Sequence, residues 1–526
     1  MNFARYATIH ARHLPDKTCL IERTPSVNKR KTLTWKQFND RINKTANYLS
    51  KELGIKEGDF VLHLQLNSIE WLVTYFAIIK IGAVVVPLNF RFVESDLRHV
   101  AGVCGPKAFI LGAEFLPVVQ PVQKEFLSIE HYICVGQDVP GDMISYEKLA
   151  AYGDTSEALV DLDDLHDLAM MFTSGTTGKP KPVIHTHYSL NNTAIANGMS
   201  RHVHRNDNYV FFLPLYHSGA MFYWASFYAT GATGTILKEF KEPRWIIETM
   251  AEEKGTDVFL VVPNAVALLN DIKSGKIDLA DYDLSSWRYF EIGAQPVPFD
   301  VIKQLVQTLP CGVSNTYGIT EGGGGATIDL LPEDILRKPG SIGKPNFGVD
   351  AKVVDIEGKE VGPGGVGELI INTNRMMKGY FNNQELTSDV LKDGWLYTGD
   401  LARTDEEGFF YVVDRKKDMI TCGGENIFPV EIEDAIMDHP KIDDVACIGY
   451  PDDRLVEIVL AIIQLKEGEP MTEEEFMTFA RSKLPLYKVP RKVIFDKVMR
   501  NPTGKLMKPE MRKKYTGRKE AFASLT

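Results

Sequence analysis

The chain has 526 residues, 44% of them hydrophobic and 25% charged, which gives ample material for buried cores and no compositional push toward disorder. Single cores stop growing near ~250–300 residues, so roughly two to four domains or subdomains are expected. A net charge of −11 argues against a general nucleic-acid binder, whose phosphate contacts demand a basic face. The C-terminal end departs from this balance: residues 491–526 carry eleven Lys and Arg against three Asp and Glu. A basic end on an acidic body steers an anionic small molecule as readily as a membrane or a nucleic acid, so charge alone does not choose.

Taken in chain order, the N-terminus lacks the apolar core of a signal peptide. The six cysteines, Cys19, Cys104, Cys134, Cys311, Cys422 and Cys447, form no CxxC and no cluster with His, which fits free thiols in a reducing cytoplasm and removes zinc-ribbon and thioredoxin readings. The longest apolar stretch, Trp71 to Leu88, is broken by Thr74, Lys80, Gly82 and Pro87. Its spacing predicts a helix up to Ile81 and then a buried strand at Val84–Val86, not a membrane span. A soluble, cytoplasmic protein, monomer or homodimer, is expected.

Residues 1–339 alternate helical periods such as TWKQFNDRINKTANYLSKEL with short apolar runs such as AFILG and DVFLVVP, which predicts βαβ units and largely parallel sheets covered by helices. From 340 to 413 glycine becomes frequent and short strands predominate, the signature of a small antiparallel unit. After the charged run Asp414–Asp418 comes a second α/β pattern, with Pro429 starting a helix that stops before Pro440. A domain boundary is placed at that pentapeptide, giving 1–413, a hinge at 414–418, and 419–526.

The densest chemistry lies at Thr173, Ser174, Gly175, Thr176, Thr177, Gly178 and Lys179, followed by Pro180 and Lys181. Hydroxyls, glycines and lysines together offer N–H and O–H donors and positive charge to an anion, with glycine permitting close approach. This is a phosphate cradle but not a Walker A loop, because only two residues separate Gly175 from Gly178 and Pro180 stands where Ser or Thr should ligate Mg²⁺. The GxGxxG at Gly362–Gly367 precedes a strand instead of a helix, so the dinucleotide reading fails.

In order along the chain come FTSGTTGKPKPVIHTH (172–187), LPLYHSGA (213–220), IGAQPVP (292–298), NTYGITE (315–321), GELIIN (367–372), GWLYTGDLA (394–402), GFFYVVDRKKDMITCGGENIFPVEIE (408–433) and NPTGK (501–505). Asn67 to Asn89 adds a further matching stretch. With these segments the sequence resembles the adenylate-forming superfamily of acyl-CoA synthetases, firefly luciferase and peptide-synthetase adenylation domains. The resemblance implies an α/β fold: a large N-terminal adenylation domain of two doubly wound sheets plus a small β-barrel-like subdomain, and a small mobile α+β C-terminal domain.

Carried over residue by residue, the resemblance implies that Tyr317 stacks on adenine beside Gly318, that Thr320 contacts phosphate and that Glu321 holds Mg²⁺. Gly293, Ala294, Gln295 and Pro296 then lie by the adenine. Asp400 binds the ribose hydroxyls, a carboxylate accepting two hydrogen bonds at once, and Arg415 reaches the same ribose. Lys417 is the pivot of the C-terminal domain and Lys505 the catalytic lysine. Gly423 and Gly424 pass the pantetheine arm of CoA. His217 gates the carboxylate site, and the acyl pocket is formed by His217, Ser218, Gly219, Val262, Gly293 and the run containing Gly323, Gly324 and Gly325. Those glycines are expected to free volume for an acid larger than acetate, beside the apolar Phe222, Tyr223 and Trp224. Pro182 and Val456 depart from the family, which has glycine at both positions.

The implied activity is an AMP-forming carboxylic acid:CoA ligase using ATP, Mg²⁺ and coenzyme A, in which neutralising charge as it develops on phosphate is the main demand on the protein. A medium-sized uncharged acid (medium-chain, alicyclic or aromatic) is expected, in either direction of the overall reaction. Loading of a carrier protein in trans and a non-enzymatic nucleotide-binding regulator are the competing readings. The regulator would have lost Lys505, Glu321, Thr320 and Asp400, all of which are present.

Overall fold

Short β-branched runs separated by capped amphipathic helices build two large sheets. The computed structural model describes residues 1–173, 180–239, 241–324, 327–422, 425–452, 454–500 and 506–516, the side chains of 425 and 426 excepted. The chain divides into two compact units, one of Met1–Gly175, Lys179–Asp350 and Ile371–Leu396, the other including Ala351–Ile370 and Tyr397–Thr526.

In the first unit a nine-stranded sheet runs in the order Lys344–Pro345, Ile328–Leu330, Gly312–Tyr317, Tyr289–Gly293, Asp257–Val261, Asn208–Phe211, Thr233–Leu237, Thr18–Thr24, Lys29–Thr34. Its interior pairs are parallel and its edges antiparallel. An eight-stranded sheet has the order Gly379–Tyr380, Lys181–Thr186, Asp167–Thr173, Val84–Pro87, Phe60–Leu64, Ala108–Gly112, His131–Val135, Ile144–Ser145. It too is parallel except where Asp167–Thr173, Lys181–Thr186 and Gly379–Tyr380 pair antiparallel.

One continuous core joins strands of both sheets to the helices Trp35–Asn47, Ile69–Lys80 and Ser218–Thr230. Nearly every residue of Ile69–Lys80 is buried, as expected for a helix apolar on all sides and enclosed by protein. Ser68 caps that helix by accepting from the Trp71 amide, and Thr34 with Gln37 forms a capping box on Trp35–Asn47. The predicted helix-then-strand order across Trp71–Leu88 is found, the strand being Val84–Pro87.

Residues 349–415 supply a five-stranded sheet in which Trp395–Thr404 and Phe410–Arg415 form an antiparallel hairpin. Asp405 closes its turn, accepting from the Glu407 and Phe409 amides. Beyond it, Ile442–Asp452 and Val456–Leu465 are the long antiparallel centre of the C-terminal sheet, covered by Pro429–Met437 and Glu473–Lys483 around a separate core. Pro429 begins its helix as predicted. No helix among the described residues is long and apolar enough to cross a membrane.

Candidate active site

The parallel strands of the nine-stranded sheet deliver the first set of residues. Val261 pairs with Gly293 and Gly293 with Thr316, so Val262, Ala294 and Tyr317 leave the carboxyl ends of three adjacent strands side by side. Carboxyl ends of parallel strands are where open α/β sheets bind ligands. Gly293 is required here, since a Cβ would collide with the Thr316 carbonyl. Ala294 holds φ +66°, a left-handed conformation that costs a non-glycine residue about 1–2 kcal/mol. Next to it the Gln295 Oε1 is buried with no hydrogen-bond partner among the described residues.

Hydrogen bonds then draw three motif segments together. After Gly312–Tyr317 the chain makes a single tight turn, Thr320–Gly322. Thr320 Oγ1 lies 2.9 Å from Ser218 Oγ, at the start of the helix that His217 caps with Nδ1 accepting from the Gly219 amide. Glu321 Oε1 accepts from the Tyr380 hydroxyl at 3.0 Å and from Thr173 Oγ1 at 3.4 Å. Burial and the adjacent Glu321 charge push the Tyr380 phenol up, so it remains a donor. Both bonds end on one carboxylate oxygen, and no bond to the other is made among the described residues.

His185 locks this turn from beneath. Its Nε2 donates to the Thr320 carbonyl at 2.8 Å and its Nδ1 faces Ser189 Oγ at 3.2 Å. Burial drives its pKa down to about 4, keeping the ring neutral, as a one-donor, one-acceptor arrangement requires.

Residues 8–381 match the AMP-binding enzyme model and residues 431–505 match the AMP-binding enzyme C-terminal domain. The chain belongs to the AMP-binding enzyme family. It is an AMP-forming acid–thiol ligase. It is 33% identical to the long-chain-fatty-acid–CoA ligase FadD13 of Mycobacterium tuberculosis, over 94% of each chain. It is 32% identical to a feruloyl-CoA synthase of an Amycolatopsis species, over 92% of this chain and 94% of that one. The crystal structure of ATP-bound MatB from Rhodopseudomonas palustris superposes with a TM-score of 0.86 at 25% identity, covering 98% of this chain and 99% of that one.

Within the second unit of this ligase, Asp400 and Arg415 are cross-strand partners in the hairpin, with Arg415 Nε 3.0 Å from Asp400 Oδ1. Asp400 is buried and Lys417, two residues beyond Arg415, is exposed. The sequence-predicted Ser174, Gly175, Thr176, Thr177, Gly178, Lys179, Gly325, Gly423, Gly424 and Lys505 lie outside the described residues. Pro182 sits in the strand Lys181–Thr186 opposite Phe172, its carbonyl accepting from the Phe381 amide.

The glycine run behaves differently from the expectation that it frees space for the acid. A Cβ on Gly323, which holds φ +95°, would strike the Arg375 carbonyl. One on Gly324 would lie 2.8 Å from Phe222 and 2.9 Å from Ser218. The volume these two glycines release is filled by protein, because the turn must approach its neighbours closely. Of the aromatic trio, Phe222 borders that turn and His185, whereas Trp224 packs into the core, edge-on to Phe211 and tilted against Tyr228.

Tyr223 belongs to a buried ionic cluster. Its hydroxyl donates to Glu291 at 2.5 Å and accepts from Arg201 Nε at 2.8 Å, and Arg201 pairs with Asp329 at 3.1 Å. Sequence reasoning missed Tyr380 and gave no role to His185 and Asn67, which lie in matching stretches. The Asn67 amide donates to the Leu213 carbonyl and accepts from the Leu215 amide, holding the loop that leads to His217.

Proposed function

We propose that this ligase activates a medium-sized carboxylic acid, uncharged apart from its reacting group, with MgATP and passes the acyl group to coenzyme A. What carries the reading is the convergence of Thr173, Ser218, Thr320 and Glu321 through direct hydrogen bonds beside the carboxyl ends of the parallel strands. Ser218 and Thr320 would present hydroxyls to the substrate carboxylate and the α-phosphate. Tyr317 would stack on the base, and Gln295 Oε1 would accept from its amino group. Asp400 and Arg415 would hold the ribose, and the 173–181 segment the departing phosphates. His217, capping its helix, would gate the acid.

Glu321 fits a magnesium ion. The cation keeps most of its coordination for water and phosphate oxygens and needs only one or two protein carboxylates. No cluster of three metal-ligating side chains exists among the described residues, and Glu321 keeps one oxygen clear of hydrogen bonds to them. The ion would neutralise charge on the leaving pyrophosphate. Lys505 would bring a mobile point charge to the acid and α-phosphate. Rotation about the 414–418 hinge at Lys417 would then exchange it for the Gly423–Gly424 segment, where the thiol enters.

Arg201 favours an uncharged tail. This cation, buried beside the strand that ends in Gly293, already faces Glu291 and Asp329, and a second substrate carboxylate would find it neutralised. Free cysteines throughout accord with the cytoplasm as its place.

Carboxylate-dependent ATP–pyrophosphate exchange over a panel of acids tests this. Medium-chain, alicyclic or aromatic acids are expected to lead, acetate and dicarboxylates to trail, and Lys505→Ala to abolish exchange. A best rate with C16 or longer chains or with a dicarboxylate would overturn the substrate class. Acyl transfer to carrier proteins in place of CoA would overturn the acceptor.

A further inference from the structure

The second unit contains a buried cation that the chemistry above does not use. Lys508 opens the helix Lys508–Thr516 and is only 5% exposed. Its Nζ pairs with Glu433 at 2.9 Å, and Asp414 and Asp418 also act on its charge. Arg512, one turn further along the same helix, pairs with Asp418 at 2.7 Å. Asp414 accepts from the Val430 amide at 3.0 Å, at the start of the helix that carries Glu433. Glu433 also accepts from the Cys447 amide at 2.7 Å. The first and last residues of the charged pentapeptide are thus tied to two helices of the C-terminal body.

The other side of the 501–505 segment is tied as well. Arg500 and Leu506 form an antiparallel bridge, and the Met507 amide donates to the Met499 carbonyl at 2.9 Å. Arg500 clasps Asp444 through Nε at 2.6 Å and Nη2 at 2.8 Å. The chain therefore enters and leaves the segment bearing Lys505 at one fixed gate, with a paired cation on each side. A buried ion cluster is no more stabilising than apolar packing of the same volume, whereas its directional bonds accept one arrangement of the segments that supply it. Here those segments are the hinge and the exit of the lysine-bearing segment.

We propose that Lys508 is a positioning residue for the acid-activating half-reaction: through its pair with Glu433, on the helix whose first turn holds Asp414, it fixes the exit of the 501–505 segment to the hinge. Rotation about Lys417 then carries Arg500 and Leu506, the two ends of that segment, together with the hinge attachment. This rests on the reading of Lys505 as catalytic and of 414–418 as the pivot.

The full-length enzyme is assayed in two separate halves: pyrophosphate exchange, and thioester formation from supplied acyl adenylate and CoA. Lys508→Met is expected to slow exchange about tenfold or more, since small misplacements of a reacting group are costly, while thioester formation stays within about twofold. Lys508→Arg, which keeps the charge, is expected to recover most of the exchange rate. An equal fall in both halves marks a merely structural role and overturns the proposal, as does unaltered exchange. Lys505→Ala run alongside separates the failures: if it abolishes exchange while Lys508→Met does not slow it, the reading of Lys505 stands and the proposal falls. If Lys505→Ala exchanges normally, both fall. Should Lys508→Met not fold, Arg512→Met, which cuts only the Asp418 pair, is read in the same assays, with about a threefold loss confined to exchange expected.

Discussion

Two buried cations, Arg201 in the first unit and Lys508 in the second, are each surrounded by carboxylates, yet the segments they join differ. Arg201 follows a helix and meets Glu291 and Asp329, both on strands of the nine-stranded sheet. Lys508 meets Glu433 on a helix whose start holds Asp414, at the end of a hairpin strand, while Arg512 one turn on pairs with Asp418. The regular elements around Arg201 are already fixed by their ladders and by apolar packing, so its ion pairs add charge compensation and little new placement. The pentapeptide leaves its ladder after Arg415, and beyond that point the Asp418–Arg512 pair helps decide where it lies. Arg201→Met tests the contrast most severely. Glu291 loses its counter-charge and Asp329 keeps only the influence of Arg375, and breaking such a pair costs about 3–5 kcal/mol. Urea denaturation at neutral pH is expected to show that loss. It should shrink at pH 5, because burial already raises Glu291 and Asp329 above their ordinary range and both take up protons more readily without the cation. Exchange kinetics of the protein that remains folded are expected to stay close to wild type, unlike those of Lys508→Met.

The pentapeptide offers a finer contrast, because its two aspartates titrate in opposite directions. Burial raises Asp414 to about 6 against the pull of Lys508. Asp418 is pushed up by burial too, but Arg512, Lys508 and Lys417 overcome it and hold the carboxyl below its ordinary value. Folded Asp414 keeps its proton longer than the unfolded chain does, so it costs nothing below pH 3.8, and its cost grows until about pH 6 and is constant above. Relative to Asp414→Asn, the wild type is expected to lose about 3 kcal/mol across that window. Asp418 has the reverse sign. Its contribution is complete above pH 3.8 and is lost as the pH falls through its lowered folded value, so the wild type gains on Asp418→Asn as pH rises. Parallel slopes for the two variants in urea titrations at stepped pH would break the contrast.

Much of this was legible in the chain. Alternating apolar runs and amphipathic periods predicted largely parallel sheets covered by helices, the resemblance added that there are two, and Val84–Val86 after Ile81 marked a strand because β-branched residues follow a helix end there. The ordered motifs placed Thr173, Ser218, Thr320 and Glu321 in one family pattern. What the sequence hides is which distant side chains complete that pattern. His185 meets a carbonyl 135 residues away, and Tyr380 meets a carboxylate 59 residues away. A lone histidine in an apolar strand, or a tyrosine in a Gly-Tyr pair, carries no local mark of such a partner. The glycine run misled for the opposite reason: a missing side chain announces space but not whether ligand or protein fills it, and here Arg375, Phe222 and Ser218 do. The charged pentapeptide suggested a hinge, while its attachment to Arg512 depends on a helix almost a hundred residues later.

Val456 is the smallest and cleanest way to sharpen the comparison, since it lies in the same second unit but outside the ion cluster. The family resemblance leads one to expect glycine at this position, and the backbone explains why: φ is +70°, a left-handed value that a β-branched residue adopts only under strain. The side chain is 65% exposed, so no burial repays it. Val456 opens the strand Val456–Leu465 opposite Cys422, immediately before Gly423 and Gly424. Glycine there would release about 1–2 kcal/mol of strain and give back about 0.5–1 kcal/mol in chain entropy, for a net gain near ~1 kcal/mol. Val456→Gly is therefore expected to raise the urea midpoint of the second unit and leave pyrophosphate exchange unchanged. Val456→Ala should fall between the two, because alanine keeps a Cβ at positive φ but loses the branched crowding. If glycine lowered the midpoint instead, the left-handed turn would owe its stability to the valine side chain, and the strain account would have the wrong sign.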